Sequence, residues 1–287
     1  MTEVTGHTPT KEIPDTQTVL EKFEGSPQEH GPVGRKFFIF FALSWAIFQL
    51  WIASPFPFLI NFGIVVDVPA RAIHLGFAFL LCFIVFPKTK VNKTIGIPIV
   101  DVLLGFAACL CALYPFIAQE GITKRVGVLL KIDVFGFSVP IEAIIGGLGI
   151  LFLMEATRRV IGLPLVIICS VFFVFSIFGQ AMPDIISHKG VSLERLIGYQ
   201  WLTGEAIFGI PIDVSVSFVF LFVLFGALLE KAGAGKYFLD LAFAMVGRYR
   251  GGPAKAAILA SGMNGAISGS SIANVVTTGT FTIPVMK

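Results

Sequence analysis

Residues 257–287, AILASGMNGAISGSSIANVVTTGTFTIPVMK, mix apolar bulk with small polar groups more densely than any other stretch of the chain. Serine, threonine and asparagine side chains alternate with apolar ones, and no charge lies between Lys255 and Lys287. Glycines allow close approach and unusual backbone angles, and they stand at Gly262, Gly265, Gly269 and Gly279. This composition predicts two short half-helices that meet at a broken tip near residues 268–271.

The rest of the chain has the composition of an integral membrane protein. It has 287 residues, of which 55% are hydrophobic and 14% charged, and its mean hydropathy is +0.87. A soluble domain would carry roughly 25% charged residues. The net charge of +3 is too small to indicate nucleic-acid binding. The four cysteines lie in apolar runs without metal-site spacing, so we interpret them as small buried hydrophobes.

A broken helix inside a membrane predicts an ion site. Backbone that leaves the helix at membrane depth is tolerated where it is buried in protein or lines a cavity. In transporters, freed carbonyls and hydroxyls at such breaks coordinate a cation, and half-helix N-termini face anions. The alternative is that the small residues serve close helix packing.

Six apolar segments have about the length of ~20 residues that crosses a bilayer. They cover residues 37–59, 70–86, 97–118, 139–154, 160–181 and 207–229. In the fourth, Gly146-Gly147-Leu148-Gly149 predicts a close helix contact. Residues 1–34 are polar and proline-containing, and they lack the apolar core of a signal peptide. We therefore predict a disordered tail there.

Loop charges predict a cytoplasmic N-terminus, because Lys and Arg are enriched in cytoplasmic loops. With that orientation, ten Lys and Arg residues lie in inside loops and six in outside loops. The inside set is Lys88, Lys90, Lys93, Arg158, Arg159, Lys231, Lys236, Arg248, Arg250 and Lys255. The final hairpin is then expected to enter the membrane from the cytoplasm.

Two connecting stretches have an apolar face typical of membrane-surface helices. Residues 192–206 are expected on the outer surface, and residues 236–248 form a predicted surface helix. The alternative for both is a packed connector.

Charged groups within apolar segments are functional candidates by default. Three carboxylates qualify, each with a solvated interfacial position as the alternative: Asp101, Glu142 and Asp213. Glu155 with Arg158 and Arg159 is expected to form a cluster at the inner surface. His74 has no second histidine nearby, so we predict an interfacial histidine.

Enzymatic functions are disfavoured. Residues 269–273 do not form Gly-x-Ser-x-Gly, and that half of the chain offers His188 alone as a base. There is no Gly-x-x-x-x-Gly-Lys-Ser/Thr sequence for ATP hydrolysis.

The run SGSSIANVVTTGTFTIPVMK, residues 268–287, resembles the first re-entrant hairpin of the large membrane subunit of TRAP (tripartite ATP-independent periplasmic) transporters. It is especially similar to the fused permeases that work with TAXI-type binding proteins. Three shorter motifs follow the same family pattern: Gly209-Ile210-Pro211, residues 225–231 and residues 247–254.

The resemblance implies an all-α integral membrane protein with six transmembrane helices, a surface helix and a C-terminal re-entrant helical hairpin. Residues 35–156 would be a four-helix scaffold similar to the small TRAP subunit, and residues 157–287 the start of the large subunit. The ion and substrate site implied by the family comprises Ser268, Gly269, Ser270, Ser271, Asn274, Thr277, Thr278 and Gly279.

By the same resemblance, the protein would be a permease of the bacterial or archaeal cytoplasmic membrane. A periplasmic TAXI-type protein would deliver an organic acid, and sodium is the expected coupling ion. The family's large subunit continues through a second, inverted repeat, so we expect residues 157–287 to be an incomplete transport domain. A fragment is favoured over completion by a second polypeptide. The alternative function is a truncated, non-transporting scaffold that only binds partner subunits.

Overall fold

The structure is a computed structural model, and it describes residues 32–88, 99–125, 128–134, 137–267, 274–275 and 278–279. Most of the predicted tail lies outside these residues, and the first helix begins at Pro32. The helices are α1 (Pro32–Ala53), α2 (Phe56–Ile60), α3 (Val68–Val85), α4 (Ile99–Ile117), α5 (Gln119–Arg125), α6 (Ile141–Val160), α7 (Leu163–Ile177), α8 (Leu193–Leu202), α9 (Ile210–Val214), α10 (Phe220–Lys231), α11 (Ala234–Val246) and α12 (Gly252–Gly265). A 3₁₀ turn at Gly179–Ala181 follows α7, and a π-helical turn at Ser215–Val219 joins α9 to α10.

One short β-ribbon, which the sequence analysis did not predict, interrupts the helices. Strands β1 (Lys131–Val134) and β2 (Phe137–Pro140) pair antiparallel, with Lys131 opposite Pro140 and Asp133 opposite Ser138. The ribbon leads directly into α6.

Four of the helical segments are long and apolar enough to cross a membrane, within the described part of the chain. They are Gly34–Ala53, Val68–Val85, Ile99–Ile117 and the combined span Ile210–Lys231. The other two predicted spans are helices, but neither meets both requirements. Helix α6 carries four charged residues, Glu142, Glu155, Arg158 and Arg159. Helix α7 has 15 residues, fewer than the ~20 needed for a perpendicular crossing. Their crossing of a membrane therefore stays a prediction.

Helices α3, α4 and α6 form the core of the protein and alternate in direction. Phe79, Phe83, Ala108, Ala112 and Ile150 are buried where the three helices meet. Arg159 at the end of α6 contacts both the end of α3 and the start of α4, whereas the start of α6 contacts the end of α4. Consecutive membrane spans need this alternation.

Charges at both ends of α6 favour its helical conformation. Glu142 lies in the first turn, and Arg158 and Arg159 lie in the last turn. Each sign is placed at the end of the helix dipole that it stabilises.

The glycine patch of α6 receives the indole of Trp201 from α8. Trp201 has no exposed surface, and its Nε1–H donates to the Cys111 carbonyl at 3.0 Å. A Cβ on Gly149 would overlap the Trp201 ring, and one on Gly146 would lie 2.7 Å from Ile197 Cγ2. The predicted close contact is thus confirmed. Residues 192–206 pack against α6, as the connector alternative describes, and their position at the outer membrane surface stays a prediction.

Gly149→Ala is expected to destabilise the protein by about 1–3 kcal/mol, because the added methyl group displaces a fully enclosed indole. Gly147→Ala is the matched control, since its Cβ would lie at 3.5 Å from Ile197 Cδ1, an ordinary contact. Thermal unfolding in detergent micelles measures both. Equal midpoints for the two variants would contradict this packing account.

The chain packs into compact units that divide between Leu224 and Phe225. In the C-terminal unit, α11 packs on α12 through Ala242, Ala256 and Ala260, with Leu239 and Phe243 beside them. Small side chains allow these helices to approach closely. Helix α11 corresponds to the predicted surface helix of residues 236–248. The predicted boundary at residues 156–157 separates regions that resemble two different subunits. It is not defined by packing, and it stays a prediction.

Candidate functional site

The chain turns back on itself after α12, inside the stretch that the sequence analysis singled out. Asn274 lies ten residues beyond Asn264, yet Asn264 Nδ2 donates to Asn274 Oδ1 at 3.0 Å. Asn274 Nδ2 in turn donates to the Ser261 carbonyl at 3.0 Å. Ser261 and Asn264 lie one turn apart on the same face of α12, and together they fix both ends of the Asn274 carboxamide. We call Asn264 and Asn274 the amide pair.

Asn274 is also joined to Thr278. Thr278 Oγ1 donates to the Asn274 carbonyl at 2.8 Å, the separation of four residues expected for a hydroxyl in a helix. Gly265 permits the close approach, since a Cβ there would lie 3.1 Å from Asn274 Nδ2. Thr278 is buried. These contacts agree with two helical segments packed side by side, and their insertion into a membrane stays a prediction.

Three of the eight predicted site residues belong to the described part of the chain: Asn274, Thr278 and Gly279. Asn274 and Thr278 come together with Ser261 and Asn264, which the sequence analysis had not placed in the site. The other five predicted residues lie outside the described residues: Ser268, Gly269, Ser270, Ser271 and Thr277.

The chemistry around the amide pair is neutral and rich in oxygen. Ser261, Asn264, Asn274 and Thr278 bring hydroxyl, carboxamide and backbone oxygens together without a carboxylate. Hard cations prefer oxygen ligands, and neutral ones suit a monovalent ion that must also leave. Among the residues the structure describes, no group of three or more His, Cys, Asp or Glu side chains is placed to hold a metal ion.

A second polar site, which the sequence analysis missed, surrounds His74. His74 is 6% exposed, so it faces other side chains rather than solvent, and its position at the membrane interface stays a prediction. Its Nδ1 lies 3.2 Å from Trp45 Nε1 and 3.0 Å from Gln49 Nε2, and its Nε2 lies 3.1 Å from Ser215 Oγ. An indole N–H can only donate, so Nδ1 is the acceptor and Nε2 carries the proton. We call these residues, with Val216, the His74 network.

The His74 network fixes the π-helical turn at Ser215–Val219. A π-turn disrupts the regular ladder of backbone hydrogen bonds and is frequent at functional sites. Gln49 is fully buried, and its Nε2 donates to the Val216 carbonyl within the turn at 3.2 Å. Gln49 Oε1 accepts no hydrogen bond from the described residues. The network thus joins the predicted scaffold, residues 35–156, to a helix of the predicted large-subunit region.

Gln49→Leu is expected to cost about 1–3 kcal/mol of stability, because the buried Val216 carbonyl loses its donor. Gln180→Leu provides the control, since that amide is exposed and donates to the Lys189 carbonyl on the surface. Denaturant titration in detergent micelles compares the two variants. A loss of stability no greater for Gln49 than for Gln180 would argue against the network.

A salt bridge ties the start of the same helix to α3. Arg71 Nη2 lies 2.9 Å from Asp213 Oδ1, and Arg71 Nη1 donates to the Phe208 carbonyl at 2.9 Å. The Asp213 side chain is half exposed, in agreement with the interfacial alternative for this carboxylate.

The remaining carboxylate candidates, Asp101 and Glu142, are buried and paired, so neither is solvated, and their depth in the membrane stays a prediction. Asp101 has no exposed surface, and Arg159 Nη1 donates to it at 2.7 Å. Glu142 accepts from Arg125 Nη2 and from the Leu130 amide, each at 2.7 Å. Buried charges need such partners. Both ion pairs connect helix ends, which indicates a structural role rather than a position along an ion or substrate pathway.

Arg159 also binds Glu155, as the predicted cluster requires. Its Nε donates to Glu155 Oε1 at 2.9 Å, while Arg158 Nε donates to Oε2 at 2.7 Å. Glu155 lies outside the four candidate spans. Hydrogen bonds from Arg158 and then Arg159 lower the pKa of its carboxyl to about 2, so Glu155 is ionised at neutral pH.

Comparison with known families gives a match over the C-terminal part of the chain. Residues 148–287 match the model of the family described as "Tripartite ATP-independent periplasmic transporter, DctM component". Searches of curated proteins and of solved structures gave no match. The match begins within α6 and includes α12 and Asn274. It supports the resemblance of this region to the permease of tripartite ATP-independent periplasmic transporters.

Proposed function

We propose that the protein is the membrane permease component of a tripartite ATP-independent periplasmic transporter. It takes up organic acids by secondary, ion-coupled transport across a bacterial or archaeal cytoplasmic membrane. The observation that carries this proposal is the amide pair, which closes a chain reversal inside the region that matches the transporter family. The small hydroxyl and amide side chains that follow α12 have the chemistry expected of an ion site at a broken helix.

In this proposal, sodium is the coupling ion, and the oxygens beside the amide pair contribute to its site. The carboxamides of Asn264 and Asn274 hold each other, so their orientations are set before an ion arrives. Preorganised ligands reduce the ordering cost of binding. The substrate carboxylate is bound near Ser270, where the N-terminus of a half-helix favours negative charge.

The partner in this proposal is a periplasmic TAXI-type binding protein that delivers the organic acid to the outer face. Residues 35–156 act as a scaffold fused to the transport region, with the N-terminus in the cytoplasm. The alternating directions of α3, α4 and α6 support this topology. So does the distribution of charge at their ends: Glu142 lies at the predicted outer end of α6, and Arg158 and Arg159 lie at the inner end.

The test is uptake by membrane vesicles that contain the assembled transporter, with a panel of radiolabelled mono- and dicarboxylates as probes. We expect uptake of at least one probe to require both the binding protein and an inward sodium gradient. Replacing sodium with potassium at equal ionic strength is the control. Uptake that needs ATP and proceeds without the binding protein would refute the proposal.

A further inference from the structure

The turn between α11 and α12 gathers basic side chains around one tyrosine. Arg248 holds its guanidinium carbon 5.2 Å from the centroid of the Tyr249 ring, and its Nη2 donates to the Tyr249 hydroxyl at 3.2 Å. Lys255, in the first turn of α12, holds Nζ 5.8 Å from the same ring. Arg250 lies next to Tyr249 in the chain. We call Arg248, Tyr249, Arg250 and Lys255 the turn cluster.

The positive charges of the turn cluster lack compensation. All three cationic side chains are exposed, and no carboxylate of the described residues lies within ion-pair distance of them. Other surface lysines do have such partners: Lys124 lies 3.6 Å from Glu120, and Lys131 lies 3.6 Å from Glu194. Two of these cations lie in the turn and the third lies in the first turn of α12. Together they create a local positive potential that attracts an anion.

Apolar surface adjoins the turn cluster on both helices. Met245, three residues before Arg248, is 57% exposed, and Ile258, three residues after Lys255, is 73% exposed. The Arg248 guanidinium lies against an aromatic ring and next to exposed aliphatic side chains. This combination is typical of residues at the level where lipid phosphate groups meet the acyl chains. A small soluble anion would satisfy the cations but would leave this apolar surface uncovered.

We infer that the turn cluster binds the headgroup of an anionic phospholipid. The lipid phosphate contacts Arg248, Arg250 and Lys255, and its acyl chains cover the exposed side chains of α11 and α12. The cluster lies at the opposite end of α12 from Ser261 and Asn264, so it is separate from the proposed ion site. Lipid binding there does not require that the chain transport anything.

Native mass spectrometry of the full chain in detergent micelles tests the inference. The probes are phosphatidylglycerol and phosphatidylcholine with identical acyl chains. The wild-type chain is expected to bind phosphatidylglycerol preferentially. Near a membrane surface each basic residue contributes about a fivefold preference. Replacing Arg248, Arg250 and Lys255 together with glutamine should therefore lower the preference about a hundredfold, and Arg250→Gln alone about fivefold.

A charge-matched control separates a site from general attraction. Lys124, Lys189 and Arg195 are exposed, and replacing these three with glutamine changes the net charge by the same amount. This variant should keep the wild-type preference. Equal losses in both triple variants would overturn the inference, and so would displacement of the lipid by inorganic phosphate at equal concentration. Thermal unfolding checks that the variants are folded.

The salt dependence of the wild-type chain provides a readout that needs no variant. A roughly tenfold increase in salt shortens the screening length about threefold and should remove most of the preference for phosphatidylglycerol. A preference that is unchanged by salt would also overturn the inference.

Discussion

Asn274→Leu is expected to lower sodium-dependent uptake by the assembled transporter about a hundredfold. Leucine has the same number and branching of side-chain heavy atoms as asparagine but cannot accept from Asn264 or donate to Ser261. Two half-buried partners would lose their hydrogen bonds at about 1–3 kcal/mol each, and about 3 kcal/mol corresponds to roughly a hundredfold. The helices of the N-terminal unit do not depend on this side chain. The measurement is initial uptake rate in vesicles, normalised to the amount of protein in the membrane.

Val275→Leu is the matched control, because it places the same side chain one residue further along, where Val275 is 66% exposed. Uptake by this variant should stay close to wild type. Normal sodium-dependent uptake with Asn274→Leu would remove the amide pair from the proposed mechanism. A loss of membrane insertion in that variant would show that the side chain acts in folding instead.

Arg159→Ala is expected to destabilise the protein by about 3–5 kcal/mol, because the fully buried Asp101 carboxylate loses its 2.7 Å ion pair with Arg159. Arg159 also donates to the Phe86 carbonyl at 3.1 Å, and its guanidinium carbon lies 4.5 Å from the Phe83 ring centroid. Truncation therefore removes contacts to both α3 and α4. Denaturant unfolding in detergent micelles, followed by helical circular dichroism, measures the loss.

Arg158→Ala tests the same kind of residue on the same helix turn. Arg158 binds Glu155 near the surface and does not contact Asp101, so little change is expected. The double variant Asp101→Leu with Arg159→Met should recover much of the stability, because it replaces both buried charges of the ion pair with apolar side chains. If the double variant is as unstable as Arg159→Ala, the cost comes from lost packing rather than from the lost ion pair.

The helical segments were predictable from the sequence because each depends on local composition. The predicted segments at residues 70–86 and 97–118 agree within a few residues with α3 and α4. The glycine patch at residues 146–149 also predicted a close contact. The sequence could not name Trp201 as the partner, because the contact joins side chains about fifty residues apart.

The polar contacts were harder to predict, because each depends on where distant helix ends meet. Asp101 and Arg159 are 58 residues apart, and His74 and Ser215 are 141 apart. The sequence around an isolated histidine in an apolar segment does not show which distant residues contact it. Asn274 was predicted as a site residue, but its pairing with Asn264 and Ser261 follows from the chain reversal and from the absence of a side chain at Gly265.

The π-helical turn changes which side of the helix is occupied by the residues after Val219. Its sequence, Ser-Val-Ser-Phe-Val, contains neither glycine nor proline, so a helical wheel drawn from the letters would continue through it without a break. A π-turn accommodates one additional residue, and one residue of α-helix corresponds to about 100° of rotation. On such a wheel, every side chain after Val219 would be drawn about 100° away from its true direction. Any choice of lipid-facing or protein-facing positions in α10 must therefore begin counting afresh at Phe220.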